Sequence, residues 1–365
     1  MKFKCRQELL LEELSVAARA ISGKTTMPIL EGVLVEAIDD IVRLTCTDSN
    51  FGIITQLEAE IEEEGSVVLP GKLFSEIVRT LDVGEVSVST KTNNQTAIRC
   101  GQSRITLTGY DAAEYPPVAE IGGIVGITLP QKELREMIRQ TTFSVATDEA
   151  RPIFTGCLME VEPGDTRIVA LDGFRLALRH LACEHDGESF RALIPGRIFS
   201  EVGRILGDSG DVTIRRDETH ISFDMGGTRV IVRMLEGEFI RYNQIIPQSS
   251  KSIVRLNRQR LAACIDRASL MARDNKNNLL RFKLEQDRMV LSANSEMGDV
   301  HEEIATELEG SELEISFNMR YMSDIMKVLD DEEITMHFNS AVSPCLIKPV
   351  EGDAYTYLVL PVRSI

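Results

Sequence analysis

Tryptophan is absent from the 365 residues, and aromatic residues make up only 5 % of them. That is poor material for stacking sugars or unstacked bases. No stretch approaches the roughly 18 consecutive apolar residues of a membrane span. The opening segment MKFKCRQELLLEELS sets Arg6, Glu8, Glu12 and Glu13 where a signal peptide needs an apolar run, so no export signal is expected. The seven cysteines, at 5, 46, 100, 157, 183, 264 and 345, are scattered and contain no CxxC. They predict reduced, buried thiols in a cytoplasm, with neither a disulfide frame nor a zinc site. The five histidines (180, 185, 220, 301, 337) form no HExxH or other metal spacing, and no P-loop occurs. GGIVG (122–126) has part of a dinucleotide-loop pattern but leads into a strand-like ITL, and reads as a linker. No enzyme, cofactor or metal is expected.

A basic excess is also lacking. Lys and Arg number 40 against 57 Asp and Glu, a net charge of −17, which argues against a protein that coats nucleic acid. The distribution is uneven. Acid concentrates in EAEIEEEG (58–65), GDSGD (207–211) and DDEE (330–333), read as turns or solvated loops. The helical segments QKELREMIRQT (131–141) and NRQRLAACIDRASLMARDNK (257–276) are richer in base. An acidic shell with basic helices is one arrangement that fits.

The chain is long enough for two to four domains, and self-similarity divides it into three. VVLPGKLFSEIVRTL (67–81) returns as ALIPGRIFSEVGRIL (192–206), and more weakly as ISFNMRYMSDIMKVL (315–329). There Asn318, Arg320, Ser323 and Asp324 replace Pro195, Arg197, Ser200 and Glu201. An opening helix recurs at the same interval in 6–21, 130–145 and 257–272. Leu10, Leu14, Leu134, Ile138, Leu261 and Ile265 hold equivalent places four apart, one helical face. Strand endings LTCTDSN (44–50) and VALDGFR (169–175) align as well. Between the helices run alternating segments such as VLVEAI (33–38), VRLTCT (42–47), FGIITQLEAEI (51–61), EVSVST (85–90), QTAIRCG (95–101) and RITLTGY (104–110), the hairpin pattern. The expected fold is α+β. Three tandem domains, 1–124, 125–249 and 250–365, would each be a doubled β-α-β-β-β unit of two helices packed on antiparallel sheets.

Two features remain open on the residues alone. LDGFRLAL (171–178) and the tail LVLPVRSI (358–365) read either as core strand ends or as an apolar site. The helix-start bases Lys72, Arg197 and Arg320 oppose the helix dipole, so they read either as solvated charges or as contacts to a shared anionic partner. The repeated Asp48 and Asp172 read as turn caps.

MKF at the start, TTMPIL (25–30), the three repeats, ALDGFRLA (170–177), EGEFIRYNQIIP (236–247) and LPVRSI together resemble the bacterial DNA sliding-clamp family, the beta subunits of DNA polymerase III holoenzyme. The resemblance spans essentially the whole chain. It implies a head-to-tail homodimer closed into a ring around double-stranded DNA. The DNA would be held topologically and without sequence preference. Partners would be the replicative polymerase, a clamp loader, and other polymerases and repair proteins that carry clamp-binding peptides. No membrane is involved. Six domains of roughly 35 Å in a hexagon would leave a hole of about that size.

By the same resemblance Lys24, Lys72, Asp148 and Arg151 face DNA, joined by the helix-start base Arg197. Asp148 stands where relatives carry a neutral polar residue. The partner-peptide pocket would comprise Phe154, Leu171, Gly173, Phe174, Arg175, Leu176, Ile240, Gln244 and Ile245. Asn318, Tyr321, Val342, Pro344, Leu360, Pro361, Val362 and Arg363 would complete it. Arg175 and Arg363 would orient the peptide. Leu171 and Phe174 replace the Thr and His of the familiar TDGHRLA, and Ile240 and Gln244 replace Pro and Arg, which makes the pocket more apolar. At the dimer contact Ile105 and Leu107 would meet Leu270 and Met271. Lys72 and Arg104 would lie near acids among Glu296, Asp299, Glu302 and Glu303. The alternatives are a metal-dependent nuclease and a three-repeat peptide-binding adaptor that does not encircle DNA.

Overall fold

The computed structural model describes residues 1–21, 23, 25–119, 121, 125–148, 150–184, 188–272, 278–295 and 298–362, without the side chains of 125, 271, 272 and 295. Among these residues six α-helices fall where the repeat sets them. They are α1 (Gln7–Ala17), α2 (Gly71–Thr80), α3 (Gln131–Arg139), α4 (Gly196–Ile205), α5 (Arg258–Ala272) and α6 (Met319–Val328). The six apolar anchors at i, i+4 are all buried. Repeat one runs Lys2–Arg6, α1, Gly32–Ile38, Ile41–Thr47, Phe51–Glu58, then Gly65–Pro70, α2, Glu85–Thr90, Gln95–Cys100 and Ser103–Thr108. That is β-α-β-β-β twice, with one short extra strand between the halves.

The Pro-Gly pair has a packing reason. Pro70 and Pro195 end a strand, and the glycine after each starts a helix pressed against its neighbours. A Cβ at Gly71 would stand 2.3 Å from Ile21 Cδ1 and 2.9 Å from the Glu31 carbonyl; at Gly196 it would stand 2.7 Å from Val145 Cγ1. The third copy uses a different start. The Asn318 side chain accepts a 2.9 Å bond from Arg320 N and caps α6.

The chain divides into two compact units, one built chiefly from Met1–Lys132 and Arg204–Met234, the other chiefly from Glu133–His185, Ser189–Gly203 and Leu235–Ile365. All strand pairs are antiparallel. The first unit holds a five-stranded sheet, in the order Glu60–Glu63, Lys2–Arg6, Glu85–Thr90, Gln95–Cys100, Ser103–Thr108. Its eight-stranded sheet joins repeat one to repeat two where Phe51–Glu58 pairs with Thr228–Arg233, from Thr228↔Thr55 to Val232↔Phe51. In the second unit a nine-stranded sheet joins repeats two and three where Arg175–Cys183 pairs with Tyr355–Val359. A four-stranded sheet completes it: Gly298–Ala305, Arg288–Ser295, Leu279–Leu284, Leu313–Asn318. The second repeat is therefore divided between the units, because sheet pairing crosses the repeat boundaries.

Two expectations need correction. The segment 51–61 is not one strand. Phe51–Glu58 ends, and Glu60–Glu63 crosses to the five-stranded sheet beside Lys2–Arg6. Cross-strand charge explains the move: Lys4 Nζ lies 3.5 Å from Glu60 and 3.1 Å from Glu62, and Lys2 also pairs with Glu62. This acid run is thus a paired strand, not a turn. Much of the helical base excess is likewise engaged internally. Arg139 pairs with Glu136 and Asp330, Arg258 donates to the Asp331 carbonyl at 2.8 Å, and Arg267 grips Glu302 at 2.6 and 2.7 Å.

Candidate functional site

The hairpin turn at Asp172 organises the second unit's exposed apolar surface. Asp172 Oδ1 accepts from Phe174 N at 2.9 Å and Arg175 N at 3.0 Å, and Gly173 between them takes a left-handed φ of 93°. Asp48 makes the same pattern toward Asn50 N and Phe51 N at 3.0 and 2.8 Å, with Ser49 at φ 77°. Both aspartates are turn caps. What differs is the residue that follows. Arg175 is buried, and each of its three side-chain nitrogens is engaged: Nε donates to Asp172 Oδ2 at 3.0 Å, one terminal nitrogen to Asp324 Oδ2 at 2.8 Å and the other to the Phe143 carbonyl at 2.9 Å. Its guanidinium also lies 4.6 Å over the Tyr321 ring and 5.4 Å over Phe143. Arg175 is thus a strut between the turn and α6. Each of its three nitrogens thus makes an intrachain bond, whatever further part it plays toward a bound peptide.

The turn pushes Phe174 outward, 59 % exposed and stacked on Tyr321 with centroids 6.3 Å apart. The tail runs beside it. Leu360 N donates to the Phe174 carbonyl at 2.9 Å and Val362 N to the Ser316 carbonyl at 2.8 Å. Beneath lies a buried cluster that includes Leu171, Leu176, Tyr242, Leu346 and Leu358, with Phe154 and Ile246 packed against it. Among the described residues eleven large apolar side chains are exposed, and five of them are Phe174, Ile240, Ile245, Val342 and Leu360. Gln244 is exposed, whereas Asn318, Tyr321, Pro344, Pro361 and Val362 are partly buried. Leu171 and Leu176 are floor, not rim. Arg363 lies outside the described residues. Sequence reasoning did not single out Tyr242 and Leu358, although both lie in segments named above, EGEFIRYNQIIP and LVLPVRSI, and it missed Leu346, an ordinary strand position. It also missed Asp324 as the holder of Arg175. The one signal for that acid was that the third repeat shortens to Asp where Glu76 and Glu201 stand in the others.

Comparison with known proteins finds three family models matched in succession. They are the N-terminal domain of the DNA polymerase III beta subunit over residues 1–119, its central domain over 128–240 and its C-terminal domain over 243–363. The chain belongs to the DNA polymerase III beta-subunit family. The beta sliding clamp of Bacillus subtilis strain 168 is 37 % identical over 377 residues, and that of Staphylococcus epidermidis 35 % over 375, each covering all of both chains. Two crystal structures also align over all of both chains. The Bacillus subtilis DNA polymerase sliding clamp does so with a TM-score of 0.97 at 36 % identity, and a Pseudomonas aeruginosa sliding clamp bound to griselimycin with 0.95 at 26 %. The three-domain clamp fold is shared with these beta subunits.

The other residues singled out from the sequence are spread over both units. Lys72 and Arg197 are exposed in the first turns of α2 and α4, without an intrachain ion pair among the described residues. Arg151 lies 5.8 Å over the Phe154 ring. Asp148 offers no donor to an anion, and its carboxylate accepts from Ala150 N at 2.9 Å, closing its own turn. Lys24 is outside the described residues. Arg104, Ile105 and Leu107 lie on Ser103–Thr108, the open edge of the five-stranded sheet. Leu107 is buried in its own unit and Ile105 partly so. Glu302 and Glu303 lie on the edge strand Gly298–Ala305. Glu302 is held by Arg267, and Glu303 pairs with Arg288 at 3.2 Å and His301 at 3.1 Å. Leu270 projects from α5, 65 % exposed; the Met271 side chain is outside the description.

Proposed function

We propose that the chain is a non-catalytic, cytoplasmic processivity factor, a sliding clamp that encircles duplex DNA as a head-to-tail homodimer. It tethers the replicative polymerase, the clamp loader and other DNA-processing proteins through short peptides docked around Phe174 and the tail. The observation that carries this reading is the exposed Phe174, held on a turn locked by Arg175, stacked on Tyr321 and bonded to the exposed Leu360 of the tail, in a unit that also exposes Ile240, Ile245 and Val342. Isolated monomers rarely leave such a surface bare, and apolar clefts with a few polar groups are what peptide anchors fill. Griselimycin is bound by the Pseudomonas aeruginosa clamp, and we propose this apolar surface as the place it would take on this chain.

Two open strand edges support the ring. Ser103–Thr108 of one protomer would pair with the partner's Gly298–Ala305, and the same contact made twice closes a head-to-tail dimer. Ile105 and Leu107 would then approach the partner's Leu270 and the partner's Met271, and Arg104 the acids of the partner's edge strand. Within each protomer the domains would span 1–124, 125–249 and 250–365. Lys24, Lys72, Arg151 and Arg197 would meet phosphates weakly and without reading bases. Topology holds the DNA, so an acidic total is no obstacle.

The test is retention. Loaded protein stays on nicked circular DNA and escapes when the circle is cut, and it elutes at twice the 40.7 kDa chain mass. Equal loss from circular and linear DNA, or a monomer at micromolar concentration, leaves the peptide-binding adaptor as the reading.

A further inference from the structure

Strand Gly156–Glu162 carries a carboxylate among buried apolar neighbours. Glu160 is 3 % exposed, and a buried ion is costly unless paired. The register sets Arg167 of Gly164–Leu171 and Arg191 of Phe190–Pro195 directly across from it; the Arg167 guanidinium is taken by Asp165 and Glu162, and Arg191 is the charge partner. Arg191 Nε donates to Glu160 Oε1 at 2.7 Å, and a second Arg191 nitrogen reaches the same oxygen. Glu160 Oε2 accepts from the Tyr242 hydroxyl, and Arg167 also interacts with that phenol. Tyr242 is buried and opens the 3-10 turn Tyr242–Gln244. Its ring belongs to the cluster of Leu171 and Leu176 beneath the apolar surface.

We infer that Glu160 is a positioning residue for peptide docking: through the Tyr242 hydroxyl it fixes segment 240–245 and so sets the rim formed by Ile240, Gln244 and Ile245. This rests on the peptide-docking reading above. Glu160 has almost no exposed surface, so its effect on a ligand must pass through the tyrosine. The other unit holds a parallel arrangement. The Tyr115 hydroxyl accepts from Thr47 N at 3.1 Å and donates to the Gly32 carbonyl at 3.4 Å. The segment after it lies against the Asp48 hairpin, where a Cβ at Gly52 would stand 2.8 Å from Val118 Cγ1. Backbone groups provide that anchor. At Tyr242 the side chain of Glu160, itself held by Arg191, provides it.

The experiment uses the full-length dimer with griselimycin as probe, and reads affinity by calorimetry, melting temperature and rim mobility. Because the chain has no Trp, Ile245→Trp supplies a unique fluorescent reporter on the rim. Tyr242→Phe and Glu160→Gln should each weaken griselimycin about fivefold or more, as a rim correctly placed only about a fifth of the time would. The double variant should be no weaker than the poorer single, and reporter anisotropy should fall in each. Tyr242→Phe keeps the ring and the packing but leaves Glu160 Oε2 without its donor, so it should melt earlier while still folding, and it decides the matter if Glu160→Gln does not fold. Unchanged affinity and anisotropy in folded Tyr242→Phe overturn the inference, as does a loss that merely follows the unfolded fraction. If the unsubstituted protein fails to bind griselimycin, the docking reading falls, while the anisotropy comparison still tests whether Glu160 and Tyr242 hold the rim.

Discussion

A single guanidinium ties the Asp172 turn to helix α6. Arg175 faces two carboxylates, a carbonyl and two aromatic rings, nearly all out of water. Removing one partner of a buried ion pair leaves the other charge desolvated, at a cost of roughly 3–5 kcal/mol. Arg175→Ala should therefore lower unfolding stability by about 3 kcal/mol in a urea titration. A variant that keeps full stability and loses only peptide affinity would make Arg175 a peptide ligand. His180 gives a second residue-scale prediction, in pH. Burial pulls its pKa down, but hydrogen bonds to Asp165 at 3.0 Å and Asp353 at 2.8 Å outweigh that and leave it raised above 6.5. The folded state thus favours the protonated ring. The stabilisation is complete below about pH 6.5 and fades as pH climbs through the raised value. Between about pH 6 and about pH 8.5 the natural protein should lose more stability than His180→Gln, and equal slopes would refute the assignment.

At the level of elements, the tail is separable from the strand that precedes it. Tyr355–Val359 is buried between Arg175–Cys183 and Cys345–Pro349, whereas beyond Leu360 the described backbone adds one bond, from Val362 N to Ser316. Deleting residues 361–365 should leave the melting temperature nearly unchanged and abolish peptide binding, because a few buried anchors carry most of such affinity. A deletion that melts early and binds in proportion to its folded fraction would make the tail a core strand end. Several elements could be read directly from the sequence. The helix anchors Leu10, Leu134 and Leu261, the Pro-Gly strand-to-helix junctions and the Asp48 and Asp172 turns all have local causes, so their residues announce them. Pairings between distant segments do not. Nothing near Glu60 signals that it will join Lys4, nor anything near Arg175 that Asp324 will hold it, 149 positions away. The apolar surface was legible only as a set of residues. Which of them form floor, rim or strut depends on that long-range pairing.

For the whole molecule, charge placement decides more than the total of −17. With Arg139, Arg258 and Arg267 engaged by their own chain, the exposed bases at helix starts remain for a polyanion. Replacing Lys24, Lys72 and Arg197 together by Glu should weaken DNA loading and steepen the loss with salt, while the dimer still elutes at twice the chain mass. Full DNA-dependent function of that variant at moderate salt would show that these side chains face elsewhere.

The fused sheets carry a mechanical meaning as well. Pulling adjacent repeats apart would have to break, all together, the five pairings from Thr228↔Thr55 to Val232↔Phe51, or the matching five from Arg175↔Val359 to Arg179↔Tyr355. A strip of backbone ladder loaded in this way is stiff, so the boundaries seen in the sequence make poor hinges. In a closed assembly the compliance would be concentrated at the seams between chains. A loader that opens the ring would then strain the contact between protomers and leave every repeat joined to its neighbour.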